Sequence, residues 1–406
     1  MSRLLFLTQV LPYPLDAGAK MRAYYVLRHL AQSHRVTLVS FVRPEDPPEA
    51  IEHLATFCEA VHTVPMVRSL ALNLRAGVKA VVTGRPLIIV RDEIRAMHAL
   101  LQRLVTEAHC DAVHADQTSM AQYGLYARDA APPSHRPRAV YDVHNALYRI
   151  YAQMAQDEAR PLWRAFYRRE TRALRRYEQR LWSQFDAAVF VSEYDRAAVG
   201  APLEDRPGLA TIPICAAPGD KALVPKTDRP RTVLHLGTMF WPPNVQGMLW
   251  FAREAWPIVA AQEPEARLVI IGRRPPAAVE ALASDPRIEV TGYVEDPTPY
   301  LADTAAFLVP LHAGAGMRVK IMDAWSWGTP VVTTTLGAEG IDVHDGDDAL
   351  VADDAPAYAA AVLRLLREPS LRQRLRENGH RQALTAYNWE IRYAEWDRVY
   401  SEVLAE

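Results

Sequence analysis

The chain has 406 residues, half of them apolar and 23% charged, a globular composition with room for two domains. Its formal net charge of −2 excludes a generally basic nucleic-acid binder. The balance is uneven: the first 225 residues hold about five more basic than acidic side chains, and the rest about seven more acidic than basic.

The opening run over residues 4–7 reads as a buried first strand. It is short, is followed by Thr8 and Gln9, and ends at Pro12 without a cleavage signal. A loop over 12–18, a helix over 21–32 and a strand over 35–41 follow. Further strands are expected over 112–114, 139–142 and 187–191, each flanked by helical patterns. Short apolar strands alternating with helices indicate a parallel sheet covered on both faces. Residues 160–185 read as one helix. Trp163, Phe166, Tyr167, Leu174, Tyr177 and Leu181 recur near helical spacing, and eight arginines fill much of the rest. Its aromatic residues suit a core face. Its basic face also suits an anionic membrane surface.

Residues 216–230, rich in Pro, Lys and Asp, read as a linker. Strands are expected beyond it over 232–236, 267–272, 288–292, 305–310, 330–334 and 349–351. Helices are expected over 244–261, 319–327, 356–368, 370–387 and 390–404. The fold class is therefore α/β, with two Rossmann-like domains facing a central cleft. The N-terminal domain covers 1–220 and the C-terminal domain 221–406, whose last helix is free to cross back. Such sheets bind ligands at their carboxyl ends. No run of about 18 apolar residues occurs, so no spanning helix is expected and a cytoplasmic location is the default. Cys58, Cys110 and Cys215 form no Cys-x-x-Cys pair and suggest neither zinc nor a disulfide framework.

The most specific stretch is Gly314-Ala-Gly-Met-Arg318-Val-Lys320-Ile-Met-Asp323-Ala-Trp-Ser-Trp-Gly328-Thr-Pro330-Val-Val. It resembles the nucleotide-sugar site of retaining GT-B glycosyltransferases of the family 4 type, where a glycine-rich turn precedes Glu-Ala-x-Ala-x-Gly-x-Pro-Val-Val. Gly237-Thr-Met-Phe-Trp241-Pro-Pro-Asn244, Pro264-Glu-Ala-Arg-Leu-Val-Ile-Ile-Gly272 and Val290-Thr-Gly-Tyr-Val-Glu-Asp296 are similar to other parts of that domain. Pro12-Tyr-Pro-Leu-Asp16-Ala-Gly18, Tyr141-Asp-Val-His144-Asn145 and Val191-Ser-Glu-Tyr-Asp195 extend the resemblance through the N-terminal half, particularly to members tied to bacterial exopolysaccharide synthesis. The family's paired glutamates stand here as Ala315 and Asp323.

The resemblance implies transfer of a sugar from a UDP- or GDP-sugar to a glycan or lipid-linked acceptor. It also implies retained configuration by front-side attack, and peripheral contact with the inner face of the membrane stays open. No metal site or cofactor is expected, because no Asp-x-Asp strand-end motif is present. Asp345-Gly-Asp347-Asp348 reads as a surface turn. No nucleic-acid partner is expected either.

Arg318 and Lys320 follow the Gly314–Gly316 turn at a helix start, where free N–H groups and the helix dipole favour a phosphate. An arginine fork and a lysine point charge both suit a departing diphosphate. Both are assigned to donor binding and catalysis, and both also fit a solvated helix start. Gly18 and Gly237 follow the first strands of their halves and are assigned to the donor, as are Gly314 and Gly316. Asp323 is assigned to the ribose hydroxyls, although an acidic residue in a first helical turn needs no ligand. His144 lies past a strand end and is assigned to catalysis, as a donor to a sugar hydroxyl or an acceptor of the nucleophile's proton. Asp116 and Asn145 are assigned to the acceptor, while His114 is expected to pack. Two further readings remain: a non-catalytic nucleotide-sugar-binding or scaffold protein, prompted by Ala315, and a GT-B-shaped sugar-nucleotide epimerase.

Overall fold

A computed structural model describes residues 1–15, 18–66, 68–204 and 206–405. Asp16 and Ala17 of the first loop therefore lie outside the described residues. The chain forms two compact units, Met1–Ile214 with Arg392–Glu406, and Cys215–Ile391.

The first unit holds strands β1 (Arg3–Thr8), β2 (Arg35–Val42), β3 (Ala60–Pro65), β4 (Ala112–Asp116), β5 (Arg138–Val143), β6 (Ala187–Phe190) and β7 (Leu209–Thr211). They form one parallel sheet in the order β3-β2-β1-β4-β5-β6-β7. Every residue of β1 after Arg3 is buried, as expected for a strand covered on both faces. The order reverses between β1 and β4, which puts the switch point beside Asp116.

The second unit holds β8 (Thr232–Leu236), β9 (Arg267–Ile271), β10 (Ile288–Gly292), β11 (Thr304–Val309), β12 (Val331–Thr333) and β13 (Ala349–Val351). They run parallel in the order β10-β9-β8-β11-β12-β13, with the switch point between β8 and β11. The core beneath is built on Trp256, Phe251, Leu268, Ile270, Leu308 and Tyr358.

Two edge strands, β3 and β7, escaped the sequence reading. β3 is mostly half-buried and β7 has three residues, so neither carries the apolar run of a central strand. The helix expected over 244–261 is interrupted: Pro242–Trp250 passes through a wide π turn at Phe251–Ala255 into Trp256–Gln262. Pro257 lacks the N–H that a continuous ladder needs, and the wide turn absorbs that loss.

The core assignment for the aromatic side of the arginine-rich helix is corrected at its start. In helix Pro161–Leu181, Trp163 is exposed and Phe166 and Tyr167 are half-buried. The buried positions are Glu170, Ala173, Leu174, Glu178 and Leu181. The terminal helix Glu395–Ala405 packs on helix Gly18–Ser33 of the first unit, burying Trp396 and Tyr400. Each such aromatic contributes about 1.5–3 kcal/mol from burial.

Candidate active site

In the first unit, a closed set of charges gathers at the carboxyl ends of β4 and β5. Asp142, the penultimate residue of β5, is fully buried. It accepts two hydrogen bonds from Arg22, from Nε and from Nη2, each 2.9 Å. The Arg22 guanidinium also donates to the carbonyl of Pro213 at 2.7 Å and lies 5.2 Å from the rings of Tyr393 and Trp396. Arg22 is thus a buried structural cation, and removing either partner of this pair costs about 3–5 kcal/mol.

His144 follows β5 directly. Its Nε2 lies 2.8 Å from Oδ1 of Asp116 and 3.6 Å from Oδ2 of Asp142. Burial disfavours the imidazolium, but the two carboxylates outweigh it and push the His144 pKa up to about 9. Near neutrality the ring is therefore a cation and a donor, which disfavours the base role allowed by the sequence. Asp116 is fully buried, and burial raises its pKa against the pull of His144. Its carboxylate meets His144 and the amide of Gln117, which donates at 3.1 Å. Gln117 itself has φ 71°, a left-handed conformation forced by the sharp turn from β4 into helix Gln117–Ala130. Asn145 is half-buried in the loop after His144, and Gly18 is half-buried at the start of its helix.

His114 packs, as expected. It stacks on Phe6 with centroids 4.1 Å apart and its Nδ1 meets the hydroxyl of Tyr400 at 2.9 Å. Burial drives its pKa down to about 3.

Two carboxylates hold the loop that carries His144 and Asn145, and neither was assigned a role from sequence. Asp195 accepts from the Ala146 N–H at 2.9 Å and from the Ser192 hydroxyl at 2.6 Å. Glu178, from the arginine-rich helix, accepts from the N–H groups of Leu147 and Tyr148 at 2.8 and 3.0 Å. It satisfies the free donors at the start of helix Leu147–Asp157. Burial raises its pKa to about 8.

In the second unit, Gly237 follows β8 and helix Val319–Ser326 follows the loop after β11. Gly314 and Gly316 adopt φ 118° and 82°, so the turn into that helix requires glycine at both positions. The half-buried Lys320 reaches Oδ1 of Asn244 with its ammonium at 3.0 Å. A Cβ on Gly237 would stand 2.5 Å from that ammonium and 3.0 Å from Nδ2 of Asn244. The glycine is what lets the cation approach the strand end. Burial, and then the neighbouring Arg318, lower the Lys320 pKa to about 7, with Asp323 opposing weakly. Arg318 is buried, donates to the Gly316 carbonyl and lies against Gly314. Five of the seven residues assigned to the donor from sequence, Gly237, Gly314, Gly316, Arg318 and Lys320, therefore converge on one strand end and one helix start. Asn244, quoted in a motif but given no role, completes the group. Asp323 sits apart from it in charge: its carboxylate pairs with Lys221, whose ammonium lies 4.9 Å from the Trp327 ring.

Among the described residues, His114, Asp116 and Asp142 could each offer one metal ligand within a common 4.8 Å. The donor set does not fit a cation, because Arg22 holds both oxygens of Asp142 and His144 faces Asp116. At 345–348, Asp348 is buried and accepts from the His344 N–H at 2.9 Å, and Asp345 accepts from the Val351 N–H at 2.8 Å. These carboxylates organise a turn.

Residues 230–368 match the family model described as glycosyl transferases group 1. The chain is 22% identical over 375 residues to an "uncharacterized 44.6 kDa protein in cps region" of Klebsiella pneumoniae, covering 89% of this chain and 90% of that one. It is 34% identical over 97 residues to the lipopolysaccharide core biosynthesis glycosyltransferase LpsE of Rhizobium meliloti, covering 23% and 28% of the two chains. The crystal structure of Anabaena HepE with UDP and glucose superposes with a TM-score of 0.68 at 14% identity, over 99% of this chain and 100% of that one. The last likeness establishes the fold, two Rossmann-like parallel-sheet units of the GT-B kind. Together the matches support a glycosyltransferase role.

Proposed function

We propose that the protein moves a sugar from a nucleoside diphosphate sugar, UDP- or GDP-linked, to a glycan or lipid-linked acceptor of a bacterial surface polysaccharide. The observation that carries this reading is the Lys320 ammonium held against Gly237 by Asn244, beside a helix start opened by Gly314 and Gly316. A diphosphate meets there a desolvated cation together with the positive end of a helix, and its growing charge on bond cleavage is what such a site stabilises best. Asp323 accepts ribose hydroxyls, exchanging Lys221 for them. The chemistry needs no metal, because these groups supply the positive charge. In the first unit, the His144 imidazolium donates to a sugar or acceptor hydroxyl, with Asn145 beside it.

Retention by front-side attack agrees with the pairing of the buried carboxylates. Asp116 and Asp142 are each engaged by a cation, which leaves neither available as a nucleophile toward the sugar. Ala315 in place of a glutamate keeps a second reading alive, a nucleotide-sugar-binding protein without turnover.

The test incubates the protein with UDP-, GDP- and ADP-sugars, reading thermal stabilisation and then products by NMR. The expected result is stabilisation by one nucleotide class and a transferred sugar with unchanged anomeric configuration. Binding without transfer to any acceptor would support the second reading. A changed sugar released without an acceptor would show an epimerase, and no stabilisation by any nucleotide would defeat all three.

A further inference from the structure

Helix Leu70–Thr83 is built inside out. It is well formed, with the Ser69 hydroxyl accepting from the Leu72 N–H at 3.2 Å and Gly84 closing it at φ 67°. Only its small residues face inward: Ala76 and Ala80 are buried against Val90, with Leu87 packed alongside. Leu70, Leu74, Val78, Val81 and Val82 face solvent, the first 89% and the last 80% exposed. At 3.6 residues per turn these five share about 120° of the helix circumference. Single exposed leucines need no explanation, but a continuous apolar stripe on the outer face does.

The surroundings indicate the occupant. The helix carries Arg75 and Lys79 beside the stripe and no acidic residue; Lys79 pairs with Glu93. Arg169 of helix Pro161–Leu181 donates to the carbonyls of Ala80 and Arg85, which ties the two helices together. That second helix exposes Arg168, Arg172, Arg175 and Arg176, while its glutamates are turned inward as backbone acceptors. Arg164, Arg168 and Arg172 line a groove against helix Leu147–Asp157. Leu162, 86% exposed, and Trp163 crown its start. An apolar stripe edged by cations, next to an arginine-lined groove and an exposed tryptophan, matches the interfacial layer of an anionic bilayer in both polarity and charge. No helix among the described residues is long and apolar enough to cross a membrane, and lying on the surface requires none.

We infer that helix Leu70–Thr83 seats the protein on an anionic lipid surface, its leucines and valines in the acyl boundary and the neighbouring arginines on lipid phosphates. This deepens the reading of a lipid-linked acceptor, but its test needs no turnover, so the two can fail separately.

The experiment is sedimentation with vesicles of phosphatidylcholine alone or with about one-third phosphatidylglycerol. The native protein should pellet with the anionic vesicles and much less with the neutral ones, and high salt should weaken the association. The L74E/V78E double variant should lose roughly tenfold or more of the bound fraction with its melting temperature unchanged, since both side chains are exposed. R168E/R172E should lose the preference for anionic lipid. A native protein that stays in the supernatant, or an L74E/V78E variant that pellets equally, would overturn the inference. So would a lipid-free dimer, seen by light scattering, that L74E/V78E dissolves; the stripe would then be a self-association face.

Discussion

Nε2 of His144 lies 2.8 Å from the carboxylate of Asp116, and both groups are buried. The pair fixes the charge of the imidazole and so determines what His144 can do. With its pKa near 9 against an ordinary value of 6.5, His144 contributes stability that is fully present below pH 6.5 and fades as pH rises through 9. NMR of the imidazole should show it protonated at pH 7 in the native protein. D116N should move its titration downward and lower activity. A neutral ring at pH 7 in the native protein would return the base role to His144.

Lys320 is expected to bind the diphosphate and Asp323 the ribose, and calorimetry with two ligands separates them. K320A should weaken UDP and inorganic pyrophosphate alike, by about 1.5–3 kcal/mol for a lost charge-assisted contact. D323A should weaken UDP and leave pyrophosphate unchanged. Equal pyrophosphate affinity in K320A and the native protein would dismiss the assignment.

Because burial holds the Lys320 pKa near 7, a bound diphosphate should draw a proton onto it. Titrations at pH 7.5 in buffers of different ionisation enthalpy should show proton uptake, and affinity should fall from pH 6.5 to 8.5. The K320R variant, always charged, should lose that slope. In the free protein the sign is opposite: a depressed lysine makes stability rise as pH passes from 7 toward 10.5.

G237A places a methyl group 2.5 Å from the Lys320 ammonium. The flexible lysine can move, so the melting temperature should change little while nucleotide affinity drops. A large loss of stability with normal affinity would show that the glycine serves the backbone and not the cation.

Glu178 carries a pKa near 8, so it destabilises the fold progressively as pH rises from its ordinary 4.5 through 8. E178Q should flatten the fall in melting temperature between pH 5 and 8, since the amide carries no charge to bury and its oxygen can still accept from one of the two N–H groups. A slope equal to the native one would remove Glu178 from the account.

The alternation of short apolar strands with helical patterns was enough to read the central strands of both sheets, because a parallel strand buried on two faces must be largely apolar; β1 and β9 show this directly. The glycine-rich turn before Arg318 and Lys320 was legible for a similar reason, since only glycine adopts the backbone that the turn needs. Sequence could not show that Lys320 would close on Asn244, 76 positions away, or that Glu178 and Asp195 would brace the His144 loop from separate elements. Nor could it show which face of an apolar helix turns outward: in Leu70–Thr83, Leu74 and Val78 face solvent while Ala76 and Ala80 take the inner side. Local patterns follow from interactions between near neighbours in the chain, whereas charge state and burial follow from which distant segments meet, and only the folded chain decides that.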